Sequence, residues 1–111
     1  MNICLLYVTA PDEKTAASIA EALIEARLAA CVNITNAMTS LYRWKGAVEQ
    51  AREAVLIAKT TKEAAPKARD LILGLHPYET PCVLAFDISP DASNNAFLDW
   101  IAAETKNNFR L

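Results

Sequence analysis

The residues with the most chemical potential stand in one short string, His76-Pro77-Tyr78-Glu79-Thr80-Pro81. Two prolines fix the backbone around it, so an imidazole, a phenol and a carboxylate share a rigid bend. Imidazole changes charge near neutral pH and is the commonest metal ligand, and Tyr78 and Glu79 add oxygen donors. A plainer reading stands beside this one. A histidine at a helix end can serve the last carbonyls of that helix, and Pro-Tyr-Glu-Thr-Pro can be a stiff connector. General acid or base work by His76 beside Glu79 would need a nucleophile or substrate acceptor, which the sequence does not identify. Phosphate-loop, dinucleotide and zinc-cluster spacings are absent, since two glycines and one histidine cannot build them.

Other candidate groups lie along the chain. Tyr42 and Trp44 precede Lys45-Gly46 and read as interface filler more than as a ligand cage. Glu53 and Lys59 read as solvated or paired surface charges. Cys4, Cys31 and Cys82 each sit in an apolar run, where free cysteine behaves as a small buried hydrophobe. Their odd number and lack of CxxC spacing give no disulfide framework and suit a reducing compartment.

The elements that must position these groups follow from the hydrophobic pattern. Ile3 to Val8 is a short continuous apolar run, the mark of a strand buried on both faces in the middle of a sheet. Thr9-Ala10-Pro11-Asp12 breaks it, and Asp12 can accept from the free N–H groups of a helix. Ala16, Ile19, Ala20 and Leu23 form the buried face of that helix, which ends near Arg27. Extended patterns run from Ala30 to Trp44 and from Val48 to Thr60, joined at Lys45-Gly46. The second run is polar through Val48–Glu53 and apolar from Val55, so a long hairpin is rooted in the core with its tip beyond it. Such an aromatic tip is expected to lie on a neighbouring copy. Helical spacing returns near Lys62, with Pro66 in the first turn, and places Ala64, Ala68, Leu71, Ile72 and Leu75 on one face; His76-Pro77 stops it. Cys82 to Phe86 is another apolar strand. Asp91 and Ser93 offer caps to a last helix with Phe97, Trp100 and Ile101 as its buried stripe. The tail from Lys106 to Leu111 shows no strong preference. This order predicts an α+β fold, a split βαβ sandwich: a four-stranded antiparallel sheet, helices on one face, a long hairpin between strands 2 and 3, and an extra C-terminal helix.

With 111 residues the chain has the size of one domain. It is 53% hydrophobic and 22% charged, which excludes a disordered or low-complexity chain. A net charge of -2 argues against a nucleic-acid partner, which would need clustered Lys and Arg. No run approaches the ~20 apolar residues of a membrane span. The amino terminus lacks the basic region of a secretory signal, so a cytoplasmic, membrane-free setting is expected.

Ala29-Ala30-Cys31-Val32-Asn33, Ser40-Leu41-Tyr42-Arg43-Trp44-Lys45-Gly46, Glu49, Leu56, Lys59-Thr60, His76-Pro77-Tyr78-Glu79-Thr80-Pro81 and Leu98-Asp99-Trp100 together resemble the CutA family of divalent-cation tolerance proteins. The resemblance spans nearly the whole chain as a single domain, residues 1–111. It implies a ferredoxin-like fold, a stable homotrimer with long hairpins packed between subunits, and an architecture similar to PII signalling proteins. It also implies tolerance to copper and other divalent cations, without an established catalytic activity. Tyr42, Trp44, Lys59, His76, Tyr78 and Glu79 would then lie around clefts near the subunit boundaries.

Family members proposed to bind copper can carry a cysteine just before Thr-Ala-Pro-Asp and two successive histidines before Pro-Tyr. Here Val8 and Leu75 stand in those places, and of that set only His76 survives. Copper prefers imidazole and thiolate, so the resemblance implies weak binding of copper or another divalent cation, with His76 and Glu79 or Cys82 as donors. The alternative is a PII-like regulatory trimer holding a small anionic metabolite, with Lys59 as its charge and Tyr42, Trp44 and Tyr78 as walls. Either reading leaves room for a further protein partner, and an enzyme ranks last.

Overall fold

The computed structural model describes residues 2–105, so the tail from Lys106 to Leu111 lies outside the described residues. Its elements are β1 (Ile3–Ala10), α1 (Glu13–Glu25), β2 (Cys31–Trp44), β3 (Ala47–Thr61), α2 (Ala65–Leu75), β4 (Val83–Asp87) and α3 (Asn95–Thr105). A short 3-10 turn over Pro90–Ala92 precedes α3. The strands form one antiparallel sheet in the order β2-β3-β1-β4, which is the expected split βαβ arrangement with β1 inside the sheet.

Alternation along β1 decides which face becomes the core. Cys4, Leu6, Val8 and Ala10 are buried against α1 and α2 together with Ala54, Leu56 and Ala58 of β3. The α1 stripe Ala16, Ile19, Ala20 and Leu23 is buried as its spacing predicts. Asp12 accepts from the Thr15 N–H at 2.7 Å and so holds the first turn. The helix ends where Arg27 takes a left-handed φ of 57°, and the Leu28 N–H bonds back to the Leu23 carbonyl at 2.9 Å. Thr60, fully buried, donates to the Leu28 carbonyl at 2.7 Å and ties β3 to that corner. Among the described residues no helix is long and apolar enough to cross a membrane.

The other face of β1 departs from the expectation of burial on both sides. Leu5, Tyr7 and Thr9 are only half-buried, and on edge strand β4 their neighbours Leu84 and Phe86 are 52% and 51% exposed. Among the described residues only α3 reaches this face. It does so at one end, where Ile3, Leu98 and Ile101 make a small second cluster.

Two helices differ from expectation in detail. α2 begins at Ala65 rather than near Lys62, because the Thr61 hydroxyl accepts from the Ala64 N–H at 3.1 Å and holds the chain in a turn first. Leu75 leaves the buried face and is exposed, its place against the core being taken by His76, whose imidazole turns inward. In α3 the buried positions are Leu98, Ile101 and Thr105, with Phe97 and Trp100 turned outward and 5.5 Å apart as a ring pair. Asn94 caps that helix, its side-chain oxygen accepting from the Ala96 N–H at 3.0 Å. Ser93 instead donates its hydroxyl to the Ser89 carbonyl at 2.6 Å, and Asp91 sits in the 3-10 turn.

β2 and β3 pair from Cys31–Lys59 out to Trp44–Ala47, closing on Lys45-Gly46. Both turn residues have positive φ, 50° and 86°, the signature of a type I′ turn whose twist matches that of the strands. The ladder is interrupted between Thr35 and Met38, where Ala37 adopts a φ of 63°. Beyond this bulge the hairpin becomes an arm, which stretches the molecule to 44 Å in its longest dimension.

The core makes a direct prediction. Leu56 is fully buried between β1 and the helices, so Leu56→Ala should lower stability by about 2–5 kcal/mol, read as a fall in the urea midpoint.

Candidate functional site

A cleft of about 680 Å³ opens on the uncovered sheet face, where the arm leaves the body. Tyr7 and Thr9 of β1 form its floor, and Met38, Ser40, Tyr42 and Trp44 of β2 form one wall. Glu53 of β3 and the segment from Pro77 to Cys82 complete it. The side chains from β2 share a face because they alternate in the strand, and Met38 stands directly opposite Glu53 in the ladder. The Tyr7 hydroxyl lies 3.8 Å from the Met38 sulfur.

His76 lies behind this cleft and is only 8% exposed. Its Nε2 meets the Thr9 carbonyl at 2.7 Å, and its Nδ1 accepts from the Tyr78 N–H at 3.1 Å. A carbonyl needs a donor and an N–H needs an acceptor, so the two contacts define a neutral imidazole protonated on Nε2. Both ring nitrogens are therefore committed to the backbone. The adjacent Pro77 explains why His76 is extended, with ψ at 135°, and leaves the helix there.

Tyr78 is carried next to that imidazole, their ring centroids 4.8 Å apart. Its hydroxyl donates to Glu53 Oε2 at 2.7 Å. Burial, and then the hydrogen bond to Glu53 and its charge, push the phenol well above the ordinary tyrosine range. Glu53 itself is 8% exposed, a correction to its reading as a surface charge. The register shows why: it shares a β3 face with Val55, which is also buried, so it continues the apolar side of the strand into the cleft. That phase relation was the available signal.

The remaining candidates divide between two places. Tyr42, Trp44, Tyr78 and Glu79 come together around the cleft, and half-buried Cys82 joins them. Glu79 stands in solvent, 3.8 Å from Lys45, while Lys45 lies over the Trp44 ring at 5.6 Å. Lys59 lies elsewhere on the open face. It bonds the Asn33 side chain, approaches Cys31 Sγ at 3.6 Å and sits 5.6 Å over the Phe97 ring near α3. Val8 is in the core and Leu75 at the surface. Cys4 is buried and its thiol is pushed up, chiefly by that burial. Among the described residues, no group of three or more His, Cys, Asp or Glu side chains is arranged to hold a metal ion.

A two-layer α+β sheet domain with a projecting hairpin and a side cleft is the ferredoxin-like class. More narrowly, the chain belongs to the CutA1 divalent ion tolerance protein family, whose model matches residues 4–104. It is 44% identical over 101 residues to the divalent-cation tolerance protein CutA of Thermus thermophilus, covering 91% of this chain and 96% of that one. It is 37% identical over 105 residues to the human protein CutA, covering 95% of this chain and 58% of that longer protein. The solved structure of CutA from Archaeoglobus fulgidus, described as a periplasmic divalent cation tolerance protein, matches at a TM-score of 0.88 and 38% identity, over 94% of this chain and 99% of that chain. The family is named for ion tolerance and not for a reaction.

The Tyr78–Glu53 bond makes stability fall in alkali. The folded chain keeps the phenol proton at a pH where an unfolded tyrosine, with its pKa of ~10, has lost it. The contribution is therefore complete below about pH 10 and disappears as pH rises above it. Urea midpoints measured from pH 9 upward should drop more steeply for the wild type than for Tyr78→Phe, which has no proton to lose. Parallel curves would show that this phenol is not held.

Proposed function

We propose that the protein acts in the response to divalent cations as a homotrimer that holds such ions, copper among them, only weakly, and that it turns over no substrate. The observation that carries the assembly is the uncovered face of the sheet. Leu5, Tyr7 and Ile57 are half-buried there, and Leu84, Phe86, Phe97 and Trp100 are exposed. Leu41 and Val48 on the arm are exposed as well, at 69% and 66%. Monomers rarely leave so continuous an apolar surface uncovered, because each Å² removed from water contributes about 25 cal/mol. An arm laid on the next copy is a head-to-tail contact, which makes a ring when the rotation between copies closes. The resemblance to the CutA family supports three copies in that ring.

Weak metal binding follows from the donors. His76 can coordinate through Nδ1 only after surrendering the Tyr78 N–H, and Glu79 faces solvent beside Lys45. Cys82 at the cleft is the nearest thiol. The free thiols of Cys4, Cys31 and Cys82 favour a reducing, cytoplasmic setting for this reading.

Light scattering at micromolar chain concentration should return three times the 12.1 kDa chain mass, and Phe86→Asp on the open face should reduce it. A wild type that stays at the mass of one chain removes the assembly. Calorimetric titration with Cu²⁺ should give a Kd weaker than about 1 μM, equivalent to about 8 kcal/mol. His76→Ala should weaken it further, whereas identical isotherms take His76 out of the donor set.

A further inference from the structure

We propose that each copy seats the basic face of its arm, carried by Arg43 and Arg52, against the acidic and aromatic face of the next copy's arm, so that the partner chain completes the cleft. This pairing rests on the head-to-tail assembly proposed for the chain and supplies the side chains that give it a direction.

The ladder register gives the arm two unlike faces. Side chains of residues paired across antiparallel strands point the same way. Arg52 is paired with Thr39, Leu41 with Gln50 and Arg43 with Val48, which places two cations and no carboxylate on one face. On the other, Glu53 is paired with Met38, Glu49 with Tyr42 and Trp44 with Ala47, which gives two carboxylates and no cation. This second face is the one that walls the cleft with Tyr42, Trp44 and Glu53.

Neither face is matched within its own chain. Arg27 and Arg69 pair with Glu104 and Asp70 at 3.6 and 3.0 Å. Among the described residues, the side chains of Arg43, Arg52 and Glu49 make no hydrogen bond or ion pair. Glu79 has Lys45 beside it, so the unmatched charge of the acidic face is that of Glu49 and Glu53. Two unpaired arginines flanking the exposed aliphatic side chains of Leu41 and Val48 have the composition of a protein contact, where arginine is enriched and lysine depleted.

A second copy satisfies both faces at once. An acidic partner or a small anion would match the arginines and leave the acidic face unmatched. Guanidinium groups suit both halves of the receiving surface, since the flat fork pairs with carboxylates and stacks on rings such as those of Tyr42 and Trp44. Leu41 and Val48 supply the aliphatic carbon that covers ring carbon. Two arms presenting the same face would set like charges together, so the charge pattern opposes that contact and favours unlike faces meeting at each step round a ring.

Charge reversal tests the pairing on the full chain, read by light scattering over a dilution series and by Tm at fixed concentration, with circular dichroism to check the fold. Arg43→Glu with Arg52→Glu should raise the concentration at which the assembly dissociates at least about tenfold. If no dilution dissociates it, Tm should fall by about 4 °C or more. Arg43→Gln with Arg52→Gln, which removes charge without adding repulsion, should give a smaller loss of the same sign and replaces the reversal if that variant does not fold. Glu49→Arg alone should also weaken assembly, yet added to the arginine reversal it should recover about half of the loss or more. Glu49 lies on the opposite face of its own arm from both arginines, so recovery reports a contact between copies. Undiminished assembly in the arginine variants, or no recovery on adding Glu49→Arg, overturns the proposal while a wild-type mass of three chains leaves the trimer standing. A wild type at the mass of one chain removes both.

Discussion

One neutral imidazole, clamped between two backbone groups, sets the geometry on which the rest of the site depends. His76 gives its Nε2 proton to the Thr9 carbonyl and takes the Tyr78 N–H on Nδ1. It thereby pins the end of α2 to β1 and sets the direction in which Tyr78 leaves the bend. Tyr78 in turn reaches across to Glu53 on β3. A continuous run of hydrogen bonds thus joins β1, the bend and β3, and the cleft is the space that this frame encloses. Protonating or metallating Nδ1 would break the frame at its centre. The side chain best suited by type to bind a metal is for that reason the least free to do so.

Much of this was legible in the sequence. The α1 stripe, the Asp12 cap, the Lys45-Gly46 turn and the central place of β1 all follow from spacing, because each depends on neighbours within a few residues. The bend at His76 to Pro81 was legible as a rigid cluster, but the imidazole serves the Thr9 carbonyl of β1 and the Tyr78 N–H rather than the last carbonyls of α2, partners that helix-end position does not reveal. What escaped depends on partners far along the chain. The burial of Glu53 needs Tyr78, separated by 25 residues, so the phase it shares with Val55 is a sign that the polar run around it outweighs. Phe97 and Trp100 were misplaced for a related reason. Phe97, Trp100 and Ile101 share one stripe by helical spacing, yet Leu98 and Ile101 are the pair that meets Ile3. Helical phase alone cannot choose between two adjacent apolar stripes.

The same alternation that builds the core also builds the surface the chain leaves open. In β1 every second residue belongs to the helix-covered face, so the intervening Leu5, Tyr7 and Thr9 must fall on the other. β3 and β4 obey the same phase, which is how Ile57, Leu84 and Phe86 come to lie beside them. The unbroken apolar run of β1 reads as a strand buried twice. One chain supplies a single full covering, and the second is the demand that an assembly would meet.

The open face of β3 places one charged residue toward each end, and the two are held differently. Lys59 is provided for: Asn33 accepts from it, Cys31 lies beside it and the Phe97 ring spreads beneath its ammonium. Glu53 is more deeply buried, yet has one hydroxyl as partner and an aromatic cavity in front of it. Nothing in the packing of β3 requires a carboxylate there, since Val55 fills the equivalent position two residues on. Its role lies in the frame: Glu53 holds the Tyr78 hydroxyl and so fixes the bend against β3 where the cleft opens.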